Sequence, residues 1–359
     1  MFVLDSHCDT PSQIYRLRDL SLDNAHGQVD IPKLQRGGVD GAFFALYTSN
    51  SLSQDASTRY ALELLGCVQD TVAANSDKMA FALSPGQALE NQSKGLFSVF
   101  LGLENGQPIG RSLSLLRAFY RAGVRYMTLT HAGNNEICDS CAAAVKRWHG
   151  LSPFGIEVVA EMNRLGMLID VSHISDDSFW DVLKYSSKPV VASHSCCRAL
   201  ADHPRNLSDE MIRALADKGG VIQINFFPVF LDDAFSAVLN ESGIMAWGEA
   251  VEDEFIKDPA DEKKRDAWYE VEDKLAGLPR PSYKRIVDHI DHVVSLVGID
   301  YVGLGSDFDG IAVTPDGLDN VSMMPKIFSE MRSRGYSEAD IAKVASANFF
   351  RVFNEVLSL

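Results

Sequence analysis

The sequence is short of positive charge. Its 359 residues include 33 Lys and Arg against 49 Asp and Glu, which gives a formal net charge of −16. Nucleic acids and anionic membrane surfaces are bound by proteins that present a basic face. We therefore expect no nucleic-acid partner and no partner on a membrane surface.

Long hydrophobic runs are also missing. No stretch reaches the roughly 18 apolar residues that a membrane-spanning helix requires. The first five residues, MFVLD, carry no basic segment, and neither a long apolar run nor a small-residue cleavage site follows them. The start therefore lacks the pattern of a signal peptide. These absences predict a cytoplasmic protein with no membrane partner.

Cysteine is scarce, with 6 in the whole chain. So few cysteines in a chain of this length do not form a disulfide framework, and we expect reduced thiols. Cys138 and Cys141 have the CxxC spacing of redox and zinc motifs, but no second pair lies near them. Free thiols, a disulfide within the loop and capture of a metal all fit this pair.

What the chain does contain is a regular alternation of short apolar runs and amphipathic stretches. The apolar runs are almost continuous, which is typical of parallel strands buried on both faces. Eight of them are predicted as strands, over 2–6, 40–47, 98–103, 126–130, 167–171, 189–193, 220–225 and 301–306. Helical patterns separate the strands and continue after the last one, over 322–333, 337–346 and 348–357. The α/β alternation predicts a (β/α)8 TIM-type barrel with extra C-terminal helices, and a doubly wound open sheet is the alternative.

One stretch differs from the rest in composition. Residues 231–280 contain 14 acidic and 6 basic residues, which is half of the excess negative charge. We interpret them as an acidic helical insertion between the seventh strand and its helix, within a single barrel domain spanning 1–359. The insertion is either a solvated helical excursion or a lid or subunit contact over the barrel mouth.

Residue types that bind metals recur where the predicted strands end. His7 and Asp9 follow the first strand two positions apart, so their side chains point the same way and can share one metal. Five further strands end in Glu104, His131, His173, His194 and Asp307. Barrel enzymes place their active sites at the C-terminal ends of the strands. Imidazoles and carboxylates suit zinc, and this set fits two metals with a bridging carboxylate better than one tetrahedral ion.

Nine ordered strings carry a resemblance to a known family. They are DSHCDTP (5–11), LENG (103–106), GVRYMTLTH (123–131), LSPFG (151–155), NRLGMLIDVSH (163–173), SHS (193–195), RNL (205–207), GSDFDG (305–310) and NFFRVF (348–353). In this order they resemble the membrane (renal) dipeptidase family of the amidohydrolase superfamily. The resemblance runs from residue 2 to near the end, apart from 231–280. It implies a metallo-dipeptidase that hydrolyses free dipeptides by metal-hydroxide attack and tolerates a D residue on the C-terminal side.

The resemblance also implies a cofactor, two Zn²⁺ ions per chain. By position, His7 and Asp9 would hold one ion, His173 and His194 would hold the other, and Glu104 would bridge them. Many superfamily members instead have His-x-His on the first strand and a carboxylated Lys as the bridge. The Asp at position 9 therefore favours the dipeptidase branch over the phosphotriesterase and dihydroorotase branches.

Three further residues receive roles from the resemblance. His131 would contact the scissile carbonyl oxygen, Arg205 would bind the terminal carboxylate of the substrate, and Asp307 would handle protons at the bridging water. His203, close to Arg205, is a candidate for orienting it.

Two other functions fit the same residues. One is a different binuclear-metal amidohydrolase that acts on an amide, lactone or ester bearing a carboxylate. The other is a non-enzymatic scaffold, in which so complete a set of ligands would be idle. The sequence leaves open whether the protein is a homodimer.

Overall fold

The strands form one parallel sheet. The computed structural model describes residues 1–357, and its strands are β1 (Leu4–Cys8), β2 (Gly41–Tyr47), β3 (Met79–Phe81), β4 (Phe97–Glu104), β5 (Val124–Thr128), β6 (Leu168–Asp170), β7 (Val191–Ser195), β8 (Val221–Ile224) and β9 (Val302–Leu304). Their order is β1-β2-β4-β5-β6-β7-β8-β9, with β3 paired to β4 beside this path. Each of the eight predicted strands overlaps one strand of this path.

The sheet curls until its two edges meet. The backbone N–H of Asp9 donates to the carbonyl of Phe308 at 2.8 Å, and that of Asp307 donates to the carbonyl of His7 at 3.0 Å. These bonds join the end of β1 to the residues after β9, so the sheet forms a nearly closed barrel of eight parallel strands. The prediction of a TIM-type barrel is confirmed, and the doubly wound open sheet is wrong.

Helices cover the outside of the barrel. Their bounds are α1 (Thr10–Tyr15), α2 (Ile31–Gly37), α3 (Gln54–Ala74), α4 (Pro85–Ser93), α5 (Leu113–Arg121), α6 (Pro153–Leu165), α7 (Asp176–Tyr185), α8 (Asp209–Asp217), α9 (Pro228–Leu231), α10 (Asp233–Ser242), α11 (Ile244–Lys257), α12 (Glu262–Ala276), α13 (Lys284–Val297), α14 (Pro325–Ser333), α15 (Glu338–Ala342) and α16 (Asn348–Leu357). None of the helices within residues 1–357 is both long and apolar enough to cross a membrane.

Serine caps fix where several helices begin. The side chains of Ser152, Ser175 and Ser208 accept from backbone N–H groups in the first turns of α6, α7 and α8. Such caps satisfy donors that a helix leaves unpaired at its N-terminus. The loops that lead into α6, α7 and α8 therefore each end at a capping serine, which helps to hold them above the barrel.

The floor of the barrel is aromatic. Inside the sheet, Phe43 stacks on Phe100 and on Tyr126, with ring centroids 4.7 and 4.9 Å apart. From below, Phe349 and Phe353 of α16 approach the Phe43 ring to 5.3 and 5.9 Å. The C-terminal helix thus plugs the N-terminal end of the barrel. The predicted extra C-terminal helices are confirmed.

Residues 231–280 fold as helices with a small core of their own. The residues of α9 to α12 lie between β8 and α13, and β8 is the seventh strand of the barrel path. Their buried apolar side chains cluster together and contact Val313, which follows β9; they are Phe235, Leu239, Phe255, Trp268, Val271 and Leu275. This cluster is separate from the main core of the barrel.

Several short elements have no counterpart in the sequence patterns, among them β3, α1, α2 and α4. β3 is only three residues long, and α1 begins directly after Asp9, inside the motif that identifies the first strand end. α2 and α4 are short helices in segments without a strong apolar period. Short elements of this kind are set by their packing on the barrel, which local periodicity does not encode.

Removing one ring of the aromatic floor should destabilise the protein. We expect Phe353→Ala to lower the free energy of unfolding by about 3–5 kcal/mol, because it opens a cavity beneath Phe43 and Phe100. Denaturant unfolding of metal-free protein, followed by circular dichroism, measures the change. Val145→Ala is the control, since Val145 is 80% exposed and should shift the value by no more than about 0.5 kcal/mol. Equal effects of the two changes would contradict the role of α16.

Candidate metal centre

All the metal-ligand candidates lie at one end of the barrel. They follow or end the strands at the C-terminal face, namely His7 in β1, Asp9 after it, Glu104 at the end of β4, His131 after β5, His173 after β6, His194 in β7 and Asp307 after β9. The structure therefore brings together every residue that the sequence predicts as a ligand. These residues form three overlapping groups of three, and within each group the possible ligand atoms lie within 4.8 Å of one another.

Glu104 lies at the centre of the group, and its two carboxylate oxygens face different neighbours. Oε2 is 3.3 Å from Nε2 of His7. Oε1 is 3.3 Å from Nε2 of His173 and 3.5 Å from Nε2 of His194. Asp9 is on the His7 side, with Oδ2 3.4 Å from Nε2 of His7. The carboxylate of Glu104 thus lies between His7 on one side and His173 and His194 on the other, with a different oxygen facing each side.

Several of these donor atoms are buried without a hydrogen bond. They include Nε2 of His7 and Oδ1 of Asp9. A buried polar atom without a partner costs about 1–3 kcal/mol. Nε2 of His173 and Nε2 of His194 are only 2.8 Å apart, and a hydrogen bond between them requires one of the two rings to carry its proton on Nε2. A donor set of imidazole nitrogens and carboxylate oxygens converging in this way fits one or more divalent cations.

The negative charge of the group is in excess: although burial opposes the shift, the carboxylates of Glu104 and Asp9 hold the pKa of His7 well above its usual value, and a bound cation would balance the same charge. Burial, with Arg205 nearby, lowers the pKa of His131 to about 3 and holds the pKa of His173 well below its usual value. Burial also raises the pKa of Asp9 to about 6, and the charge of Glu104 adds to the rise. His131 and His173 are therefore neutral at pH 7, and neutral imidazole is the form that binds a metal. A bound cation would offset the cost of burying the negative charges of Asp9 and Glu104 so close together.

Asp307 is held by a residue that the sequence analysis missed. Nδ2 of Asn225, directly after β8, donates to Oδ2 of Asp307 at 2.8 Å. Oδ1 of Asp307 remains on the side of His7, 3.8 Å from its Nε2. Asn225 directly follows the seventh barrel strand. Its position at a strand end is the one sequence feature that points to it, because an Asn is neither a His nor an acidic residue.

The backbone around Asp307 is constrained. Asp307 has φ +64° and His173 has φ +69°, a left-handed conformation that non-glycine residues seldom adopt. Such residues persist where the surrounding structure holds them, often at functional sites. At position 310 only glycine fits, because a Cβ would lie 2.1 Å from Oδ2 of Asp9 and 2.9 Å from Oδ1 of Asp307.

Arg205 and His131 lie beside the metal ligands. The guanidinium of Arg205 donates to Oγ of Ser195 at 2.7 Å and to the carbonyl of His194 at 2.6 Å, while its buried Nε has no partner. Nδ1 of His203 accepts the backbone N–H of Arg205 at 3.1 Å, as an orienting residue would. Nε2 of His131 is 3.7 Å from Oε1 of Glu104. Arg205 is therefore fixed in place with donor capacity left over.

A cavity of about 450 Å³ opens above these residues. It is lined by Asp9, Glu104, His131, His173, Arg205 and Asp307, and also by residues of α11 and α12 such as Met245, Glu252 and Trp268. Arg16, after α1, pairs with Glu252 of α11 at 2.8 Å and anchors the insertion to the barrel. Residues of segment 231–280 thus form one wall of the cavity.

In the loop over 131–152, the polar side chains of Asn134 and Asn135 form hydrogen bonds within the protein. The amide of Asn135 donates to Leu129 and to Asn105, and Asn134 bonds Val145 and Ser140. The cysteines of the CxxC pair are both free thiols, like the other four. Of the alternatives for Cys138 and Cys141, the structure contains the free thiols.

This barrel, with converging His and carboxylate ligands at the C-terminal ends of its strands, defines a metal-dependent hydrolase. The chain matches the family model described as membrane dipeptidase (peptidase family M19) over residues 1–359, and it belongs to that family. The predicted family and the predicted metallo-dipeptidase activity are confirmed, and a non-enzymatic scaffold is not supported. Membership of a metallopeptidase family also implies a metal cofactor.

Individual relatives agree with the family. Dipeptidase tcpJ of Claviceps purpurea is 31% identical over 367 residues, which cover 98% of this chain and 76% of that protein. The crystal structure of the probable dipeptidase PvdM from Pseudomonas aeruginosa is 30% identical, with a TM-score of 0.85 and coverage of 99% and 96% of the two chains. A Rhodobacter sphaeroides metallopeptidase, liganded with a phosphinate mimic of the dipeptide L-Ala-D-Ala, is 23% identical with a TM-score of 0.80, covers 99% of both chains and shares the fold.

Metal should stabilise this protein through Glu104. Zinc added to chelator-treated protein should raise the midpoint of thermal unfolding, because an ion at 100 times its Kd contributes about 2.7 kcal/mol per site. Glu104→Gln removes the negative charge that lies between His7 on one side and His173 and His194 on the other, so we expect a smaller rise and a lower metal content by elemental analysis than in the native protein. Glu241→Gln, at an exposed position, is the control. A zinc content and a shift like those of the native protein in Glu104→Gln would contradict this account.

Proposed function

We propose that this protein is a zinc-dependent dipeptidase with two Zn²⁺ ions per chain. The observation that carries the proposal is Glu104, whose Oε2 faces Nε2 of His7 while its Oε1 faces Nε2 of both His173 and His194. His7 and Asp9 would hold one ion, His173 and His194 the other, and Glu104 would bridge them. When bound, the two ions would polarise the peptide carbonyl and lower the pKa of a water molecule. Hydroxide would then be available near neutral pH to attack the carbonyl carbon.

Asp307 is the proposed proton carrier. Asn225 holds one of its oxygens by donating to Oδ2 at 2.8 Å, which leaves Oδ1 directed towards the ligand group. Oδ1 would take the proton of the attacking water and return it to the leaving amine as the peptide bond breaks. A carboxylate fixed in this way needs no reorientation between the two transfers.

His131 is the proposed donor to the carbonyl oxygen. Its ring lines the cavity beside Glu104, and its low pKa makes it a neutral N–H donor rather than a cation. An N–H aimed at the oxygen stabilises the negative charge that develops there as the tetrahedral species forms.

Arg205 is the proposed anchor for the substrate. A guanidinium with free N–H groups can bind a carboxylate in a two-pronged contact that a lysine ammonium does not reproduce. Held by Ser195 and the carbonyl of His194, it would fix the terminal carboxylate at one distance from the metal ligands. That distance explains a preference for dipeptides, since a longer or amidated C-terminal side has no carboxylate at the anchor.

The choice of side chains is proposed to depend on segment 231–280. Met245 and Trp268 place apolar surface on the cavity wall, above the barrel mouth. Because the relative from Rhodobacter sphaeroides is liganded with a mimic of L-Ala-D-Ala, we propose that this protein also accepts a D residue on the C-terminal side. A cytoplasmic location stays a prediction, with which six free cysteines agree.

A small dipeptide panel tests the proposal. Zinc-loaded protein should hydrolyse L-L and L-D dipeptides with a free C-terminus and leave the amidated forms intact. Arg205→Lys should raise KM for the free forms, because it keeps the charge and loses the planar fork. Arg213→Lys, on α8 away from the cavity, is the matched control. Turnover of amidated dipeptides at the same rate would contradict the anchor. Turnover of lactones or esters alone would favour a different amidohydrolase reaction.

Asp307→Asn should stop proton transfer and leave metal binding in place. We expect kcat to fall by about 10²–10⁴-fold, which is what a general acid–base contributes. Steady-state kinetics on one free dipeptide, together with zinc analysis of the same samples, separates the two effects. Asp316→Asn at an exposed position is the control. A kcat within a few-fold of the native value would remove Asp307 from the reaction.

A further inference from the structure

The ring nitrogens of His7 and His194 that face away from the cavity have different partners. Nδ1 of His7 lies 2.7 Å from the hydroxyl of Tyr126. Nδ1 of His194 lies 2.7 Å from Oγ of Ser193. Histidines that bind a metal generally hydrogen-bond through their other nitrogen, and that bond fixes the tautomer and the orientation of the ring. These two contacts lie below the ligand group, inside the barrel.

Tyr126 occupies a slot built for it. Its side chain is fully buried and stacks on Phe43 at 4.9 Å. The slot exists because residue 102 in β4 is glycine, where a Cβ would lie 2.3 Å from two ring carbons of Tyr126 and 2.7 Å from its hydroxyl oxygen. The phenol therefore has one position, with its oxygen against His7.

The contact below His194 ends on a buried carboxylate. Oγ of Ser193 donates to Oδ2 of Asp170 at 2.7 Å, and Thr128 donates to the same oxygen at 2.5 Å. The other oxygen of Asp170 accepts the backbone N–H groups of Ser193 and Ser172 at 2.8 and 3.0 Å. Asp170 only accepts here, so the single hydroxyl proton of Ser193 goes to it.

The direction of these bonds decides the tautomer of His194. Because the proton of Ser193 is used by Asp170, Oγ of Ser193 can only accept from Nδ1–H of His194. Nε2 of His194 then carries a lone pair and points towards Glu104 and His173. For His7, a lone pair on Nε2 requires that Nδ1–H donates to the hydroxyl oxygen of Tyr126, 2.7 Å away.

We propose that Tyr126 and the Ser193–Asp170 pair are positioning residues for different metal ions. Tyr126 would set the ion held by His7 and Asp9, and Ser193 with Asp170 would set the ion held by His194. The inference rests on the proposed two-ion centre. Separate action is expected because the two sets contact different histidines, and the histidines face different oxygens of Glu104.

Competition with a chelator of known affinity, read by zinc analysis, tests the proposal. In Tyr126→Phe one of the two ions should bind about 10–100-fold more weakly, and the same holds in Ser193→Ala. Tyr185→Phe and Ser295→Ala delete hydroxyls outside the cavity and are the matched controls. A merely structural role would instead lower the unfolding midpoint of the metal-free protein and weaken both ions alike.

A second background identifies which ion each variant affects. His7→Ala removes a ligand of the first ion, so adding Tyr126→Phe should leave the affinity of the remaining ion unchanged. Adding Ser193→Ala should still weaken that ion by about 10–100-fold. Thr128→Val, which removes a donor to Asp170 with little change of shape, gives a second route to the same ion if Ser193→Ala fails to fold.

The outcomes separate this inference from the proposed function. Failure of the native protein to bind two ions would overturn both. Two ions in the native protein, with Tyr126→Phe and Ser193→Ala indistinguishable from it or each weakening both ions equally, would overturn the positioning roles and leave the binuclear dipeptidase in place.

Discussion

Three carboxylates share the mouth of the barrel, and the rest of the site depends on how their charge is balanced. Asp9, Glu104 and Asp307 are almost withdrawn from water, and burial raises the pKa of Asp9 and of Asp307. Buried charges are stable only when they are paired or coordinate a metal. The imidazoles of His131 and His173 are held neutral there. A metal cation, which membership of the metallopeptidase family implies, is therefore the natural counter-charge at these strand ends.

Support for this arrangement comes from below. Beneath the ligands lies a buried polar layer in which Tyr126 contacts His7, and Ser193 and Asp170 contact His194. Beneath that layer lies the aromatic floor, closed by Phe353 of α16. Close packing makes such a stack stiff. The C-terminal helix thus contributes to the site through the barrel, without reaching the cavity.

The strand ends and the candidate metal-binding residues near them could be predicted from sequence, because these residues lie in or just after the short apolar runs that form the strands. His7, Glu104 and Asp307 each follow this rule. Partners from distant segments could not be predicted in this way. Asn225 holds Asp307 across 82 positions, and Tyr126 meets His7 across 119. Such contacts depend on strand order and register, which no local pattern contains. Short elements such as β3 were missed for the same reason.

The most direct test is diffraction from crystals of zinc-loaded protein at the zinc absorption edge. We expect two anomalous peaks per chain, one on each side of the Glu104 carboxylate. The first should lie against Nε2 of His7 and a carboxylate oxygen of Asp9, and the second against Nε2 of both His173 and His194. A single peak, or two peaks that are not both next to the Glu104 carboxylate, would contradict the proposed two-ion centre.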